Sequence, residues 1–283
     1  EELRGNLAFR QLDEESIDQM VAHFSELDLS QWEFQYEKGN FTIPFPTKVK
    51  GDDTFTVPLS KFYDVIDTER LLPDDLETYQ SYIEERHRKM IALTFDDGPD
   101  PTTTPQALAI LKKYNAKATF FMVGKNVSAN PDIAKQVRKE GHQIGNHTWD
   151  HPQLPKLSLD NAKKEILDTQ EAIQKATGVQ TKITRPPYGA INNAIQYGVD
   201  QSFIMWDVDS LDWKTHNTTA ILNEVKKEVK PGSIILMHDI HQTTIDALPT
   251  VLDYLKSQGY TFVTVDELLD YQLESHRIYY NGN

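Results

Sequence analysis

The chain contains no cysteine. Disulfide staples and thiolate metal sites are therefore excluded, and any metal must be held by His and carboxylate. No apolar stretch approaches the roughly 20 residues needed to cross a bilayer, and no secretory leader pattern is present. Positive charge is scarce: 29 Lys and Arg stand against 43 Asp and Glu, a net charge of −14. Nucleic-acid binders carry basic patches, and anionic membrane surfaces attract polybasic segments. Neither is an expected partner, and the acidity is read as a solubility feature. Internal repeats and low-complexity tracts are missing too. The chain starts at Glu1-Glu2 without Met, so it reads as a piece of something longer. Its 283 residues are ample for a large core and exceed one average domain.

Two regions follow. Residues 1–86 read as a small α+β domain, incomplete at its N-terminal edge, with a linker. Asp13 is placed to cap a helix carrying Ile17, Met20, Val21 and Phe24 at helical spacing. Trp32, Phe34 and Tyr36 alternate with polar residues like a half-buried strand. Gly39-Asn40 is a turn signal, and Phe41–Ile43 would return antiparallel. Phe55, Val57 and Leu59 alternate again. His23 lies within the apolar helix pattern and reads as structural. Residues 67–87 are charged and suit a linker or an exposed helix.

From residue 87 to 283 strands and helices alternate. Strands are expected near 91–95, 118–123, 143–146, 181–184, 202–206, 233–237 and 260–263. Thr104-Pro105, Asn130-Pro131 and Ser158 would open helices, with Gly141 and Gly178 closing two of them. Further helices are expected near 218–229, 243–258 and 265–272. The fold class is α/β: a distorted parallel (β/α) barrel of about seven strands, preceded by the small α+β domain.

Five short segments in this second region are rich in groups that bind metal or move protons. They are Thr94–Pro99, His147–His151, Arg185–Tyr188, Asp209–Trp213 and Leu236–Asp239. Each follows an expected strand, so a parallel fold gathers all five at one mouth. His147 and His151 are four residues apart and would face the same way on one helical turn, a common arrangement for metal ligands. Thr148 stands where a zincin carries its Glu, which argues against that kind of protease. By spacing alone, two surface or capping histidines account for the pair equally well.

Asp96-Asp97-Gly98-Pro99 puts two carboxylates at a strand end, and taken alone it is an ordinary Asp-Gly turn. The combination points further. Two His and one Asp make a three-ligand site with a position open for water, as in a catalytic zinc. The other Asp is then free to take a proton. Arg185, stiffened by Pro186-Pro187, could pair with a carboxylate and keep it ionised. His238, at a strand end, suits a general acid for a leaving amine if a carboxylate orients it, and Asp212 is a candidate. Trp213 and Leu236 are either core or the wall of a small pocket.

These five motifs, in this order, resemble the polysaccharide deacetylase family, the carbohydrate esterases that share the NodB-homology domain. The resemblance covers about residues 89–270. Within the family, Ser202–Trp213 and Leu236–His241 look most like the peptidoglycan N-acetylglucosamine deacetylases of streptococci and related Gram-positive bacteria. No motif position departs from the pattern. The resemblance implies that Asp97, His147 and His151 hold the metal, usually Zn2+; by their donor chemistry, other divalent metals such as Co2+ could occupy the same site. It implies that Asp96 is the general base, oriented by Arg185, and that His238 is the acid, oriented by Asp212. The backbone N–H of Tyr188 would stabilise the oxyanion, and Trp213 and Leu236 would bound the acetyl methyl.

The products would be acetate and a free glucosamine unit, and the wall would gain lysozyme resistance. The implied substrates are peptidoglycan glycan strands or N-acetylglucosamine oligomers, with no protein partner. The implied location is extracellular, facing the wall, with a membrane anchor preceding this chain and residues 1–86 as spacer. Chitin or acetylxylan deacetylation, or a non-catalytic wall-binding module, are the alternatives.

Overall fold

The structure is a computed structural model describing residues 35–37, 39–49, 52–59 and 71–282. The chain divides into two compact units, Glu1–Glu84 and Glu85–Asn283. The helix expected after Asp13, with His23, Trp32 and Phe34, lies outside the described residues.

In the first unit, β1 (Gln35–Glu37), β2 (Asn40–Val49) and β3 (Asp52–Pro58) form an antiparallel sheet in that order. Gly39 makes the expected turn at φ 75, in the left-handed region that favours glycine. Tyr36 then pairs with Phe41, and their rings lie 5.0 Å apart. The charged stretch after it is a helix over Pro73–Arg88, whose described first half is largely exposed.

The second unit is the α/β barrel-like sheet. Its strands are β4 (Met90–Asp96), β5 (Thr119–Met122), β6 (Gln143–Asn146), β7 (Ile183–Thr184), β8 (Ser202–Ile204), β9 (Val208–Asp209), β10 (Ile234–His238), β11 (Thr261–Val263) and β12 (Ile278–Tyr279). They run in the order β12-β8-β7-β6-β5-β4-β10-β9. All of these neighbours pair in parallel, and β11 joins β4 through the first residues of that strand. The path ends at β9 and β12 rather than closing into a ring. Every residue of β4 is buried, as a parallel strand covered on both faces requires. The main core lies between sheet and helices, with Leu93, Phe95, Leu108, Phe120, Ile235 and Leu248 fully or almost fully buried.

Seven strands fall where expected. β9 and β12 are additional, and at two residues each they carry no alternation to read. Ser158 caps the helix Leu159–Thr177 by accepting from the Asn161 N–H, and Gly178 ends it at φ 76. Thr104-Pro105 does not open its helix: that helix spans Thr103–Lys113 behind Thr102, and the Thr104 side chain is used elsewhere. The helix expected over 265–272 covers only Val265–Leu268. Asp270 (φ 49) and Tyr271 (φ 56) turn left-handed and end it.

Candidate active site

The C-terminal ends of β4, β6 and β10 meet around a cavity of about 410 Å³. It is lined by Asp96, Asp97, His147, His151, Tyr188, Trp206, Asp209, Trp213, Leu236 and His238. Strand register fixes the central pair, because His238 and Asp96 are direct partners across the β10–β4 ladder.

His147 follows β6 directly, and its Nδ1 hydrogen-bonds the Arg185 carbonyl at 2.7 Å. That contact leaves Nε2 for the cavity, the orienting arrangement typical of metal-binding imidazoles. His151 does not share a helical turn with it. The intervening residues form a loop with Thr148 at φ 66 and His151 at φ 58. Glu165 stiffens this loop from the neighbouring helix, accepting from the N–H groups of Trp149 and Asp150 at 2.9 and 3.0 Å. The convergence expected of the two histidines is present, but left-handed turns produce it.

Asp97 Oδ1 stands 3.4 Å from Nε2 of both His147 and His151. The ligand atoms of the three residues all lie within 4.8 Å of one another. Asp97 Oδ1 is buried without a hydrogen-bond partner, a costly state for a carboxylate oxygen. A cation at this point would resolve it, and two imidazoles with one carboxylate are a suitable donor set. Burial works to raise the Asp97 pKa, but the close approach and charge of His147, with the charges of His151 and His238, hold it down at about 2.

Asp96 lies behind this trio. Its Oδ1 accepts from Arg185 at 2.8 Å, and its Oδ2 is 3.6 Å from His147 Nε2. Arg185 is wholly buried, which a guanidinium tolerates only when its donors are engaged. Each of its nitrogens is: besides Asp96, they donate to the Thr94 hydroxyl and to the carbonyls of Ile204 and Met205. The guanidinium also stacks 4.2 Å from the Phe121 ring centroid.

On the other side, His238 Nδ1 meets Asp212 Oδ1 at 2.7 Å. Asp212 Oδ2 accepts from the His238 N–H and the Thr244 hydroxyl, both at 2.7 Å. Burial would depress the His238 pKa. The Asp212 hydrogen bond and charge, aided by Asp96 and Asp97, outweigh burial and raise it to about 9. Tyr188 (φ 61) sets its ring 4.7 Å from that of His151. Leu236 is buried in the wall, while Trp213 is 48% exposed at the rim.

All ten residues singled out from sequence are therefore in or directly behind one cavity. Trp206 and Asp209 were not singled out. Asp209 lay within the fourth motif, where its acceptance of the Leu211 N–H gives it a local structural use as well. Thr94, the partner of Arg185, opens the first motif but was given no role there, and Thr244, the partner of Asp212, lies outside every motif.

Residues 83–202 match the family described as polysaccharide deacetylase, and residues 1–80 match the peptidoglycan GlcNAc deacetylase N-terminal domain. A peptidoglycan-N-acetylglucosamine deacetylase of Bacillus cereus is 42% identical over 212 residues, covering 71% of this chain and 99% of that protein. The chain belongs to the polysaccharide deacetylase family. Another deacetylase similar to it is the peptidoglycan-N-acetylglucosamine deacetylase PgdA of Listeria monocytogenes, 40% identical over 89% of this chain. The chain spans only 55% of that relative's length. The solved structure of the peptidoglycan deacetylase PdaC from Bacillus subtilis superposes with a TM-score of 0.63 at 44% identity, covering 65% of this chain and 91% of that one. PdaC is named for N-acetylmuramic acid rather than N-acetylglucosamine.

Proposed function

We propose that this chain is a metal-dependent hydrolase that removes the acetyl group from N-acetylglucosamine residues of peptidoglycan. The observation that carries the reading is the three-part cavity. A ligand trio, a carboxylate held by a buried arginine and an imidazole held by a buried carboxylate all face one space.

Asp97, His147 and His151 would hold the metal, zinc in this proposal with cobalt able to replace it. Bound there, such an ion supplies Lewis-acid polarisation of a carbonyl and an acidified water. Asp96 takes the proton from the attacking water, and the Arg185 bond keeps its acceptor oxygen aimed. The backbone N–H of Tyr188 donates to the oxygen that gains charge as the acetamido carbon becomes tetrahedral. His238, charged because Asp212 stands behind it, donates from Nε2 to the departing nitrogen. The C–N bond breaks, and acetate and a free amine remain. Leu236 and Trp213 shape the space for the acetyl methyl.

The choice of polymer rests on the match of residues 1–80 and on the names of the relatives. By the same reasoning the enzyme works outside the cell against the wall, where it would protect glycan strands from lysozyme, and residues 1–86 serve as a spacer domain. PdaC favours one competing reading, in which N-acetylmuramic acid is the sugar deacetylated.

Acetate release from N-acetylglucosamine oligomers and from purified peptidoglycan tests the proposal, measured before chelation, after it and after zinc is restored. Release that vanishes and returns with zinc is the expected result. Mass analysis of muramidase digests should then place the free amine on glucosamine. A free amine on muramic acid alone would overturn the sugar assignment, and no release from either substrate would overturn the activity.

A further inference from the structure

Asp239, next to the proposed acid His238, has no part in the chemistry above, yet it is wholly buried. Its Oδ2 accepts from the Thr104 hydroxyl, and the same Thr104 oxygen accepts from the Asp100 N–H at 2.8 Å. Its Oδ1 is buried without a hydrogen-bond partner. The reason is contact: a Cβ on Gly98 would stand 2.5 Å from Oδ1 and 2.9 Å from Cγ. The carboxyl is pressed against the bare Cα of the residue that follows the metal ligand Asp97.

The loop between Asp97 and Thr104 is tied on its other flank. Asn126 donates to the Asp97 carbonyl at 2.8 Å, and the Val123 N–H donates to the Gly98 carbonyl at 2.9 Å. Asp97 itself sits at φ 76, a conformation that a non-glycine residue holds only when its surroundings impose it. On the β10 side, Asp239 packs against Gly98 and bonds Thr104.

We propose that Asp239 and Thr104 form a strut between β10 and the Asp97–Thr104 loop, and that this strut positions the Asp97 carboxylate for metal. Both are positioning residues, since neither lines the cavity. A single dipeptide, His238-Asp239, thus carries the proton donor on one side chain and braces the metal ligand with the next. The proposal explains why a glycine precedes Pro99, because any side chain at Gly98 would displace the strut. It also explains why Thr104 lies inside its helix with its hydroxyl turned toward the sheet.

The inference rests on the reading of Asp97, His147 and His151 as a metal site, and zinc binding by the unaltered chain tests that reading separately. The experiment is zinc affinity by competition with a chromogenic chelator, with circular dichroism and metal-free melting temperature recorded for each variant. Outer supports of metal ligands typically change affinity about 10–100-fold. Thr104→Val and Asp239→Ala are each expected to weaken zinc binding by about that factor. Thr104→Ser keeps the hydroxyl, and Asp239→Asn keeps the shape and an acceptor, so both should stay near the unaltered chain. At saturating zinc, KM for N-acetylglucosamine oligomers should be unchanged in all four.

Thr104→Val and Asp239→Ala binding zinc as tightly as the unaltered chain would overturn the strut. So would Asp239→Asn falling as far as Asp239→Ala, which would place the effect in charge rather than support. If Asp239→Ala does not fold, the Thr104 pair decides alone.

Discussion

Asp96 and Asp97 are adjacent in sequence and chemically identical, yet their surroundings differ in the way the proposed division of work requires. Asp97 points an unpartnered oxygen at two imidazoles, while Asp96 is gripped by Arg185. Asp97→Ala should therefore lose bound metal and activity together. Asp96→Asn should keep metal and lose turnover by about 10²–10⁴-fold, the usual contribution of a general base. Metal analysis beside kcat separates the two outcomes.

His238 offers a pH signature. Its raised pKa means the imidazolium is favoured in the folded state, so the proposed acid fails only at a pH above the ordinary imidazole range. Asp212→Asn removes the anion behind that elevation. The alkaline limb of the kcat profile should move to lower pH, and kcat should fall. Stability follows the same sign. In the metal-free chain, the His238–Asp212 pair contributes fully below about pH 6.5, and the contribution is lost as pH rises through about 9. The Asp212→Asn variant should show a flatter dependence of melting temperature on pH across that window.

Among the elements, the loop Thr148–His151 matters most. It is a turn between β6 and a long helix, held by Glu165 and by its own left-handed residues. Glu165→Ala breaks two hydrogen bonds to a carboxylate, each worth about 1.5–3 kcal/mol when made to a charged group. It should lower the melting temperature and weaken zinc binding, while zinc still binds at one per chain; chelator competition reads this directly.

The same loop shows where sequence reading stops. The four-residue spacing of His147 and His151 suggested a helix, because nothing in Thr148, Trp149 or Asp150 advertises positive φ as glycine or asparagine would. Longer elements were legible for physical reasons: the β4 run is apolar because it is buried on both faces, and Ser158 and Gly178 bracket a helix by capping chemistry. The short helices Gly124–Ala129, Asn193–Gly198 and Asp212–Thr215 were not legible, since four to six residues give too little periodicity. Placement of the motif residues at one mouth was legible because strand ends in a parallel sheet point one way. The hydroxyl behind Asp212 was not, because a lone threonine such as Thr244 looks the same wherever it falls.

For the whole molecule, all ten residues of the candidate site belong to the unit Glu85–Asn283. A fragment beginning at Glu85 should therefore fold and deacetylate short N-acetylglucosamine oligomers with a kcat comparable to that of the complete chain. Loss of turnover in a folded fragment would give the first 84 residues a direct part in the chemistry.

The ladder between β4 and β10 has one more consequence. Asp96 and His238 are opposite residues in it, so the backbones that carry the proposed base and the proposed acid are one strand spacing apart, about 4.8 Å. No hinge can retune that interval. Tyr188 and Trp213, by contrast, stand exposed at the rim on a 3-10 turn and a one-turn helix. In the proposed chemistry the proton-moving side chains would thus be fixed by paired strands, while the side chains of Tyr188 and Trp213 at the rim would be the ones open to change with the polymer.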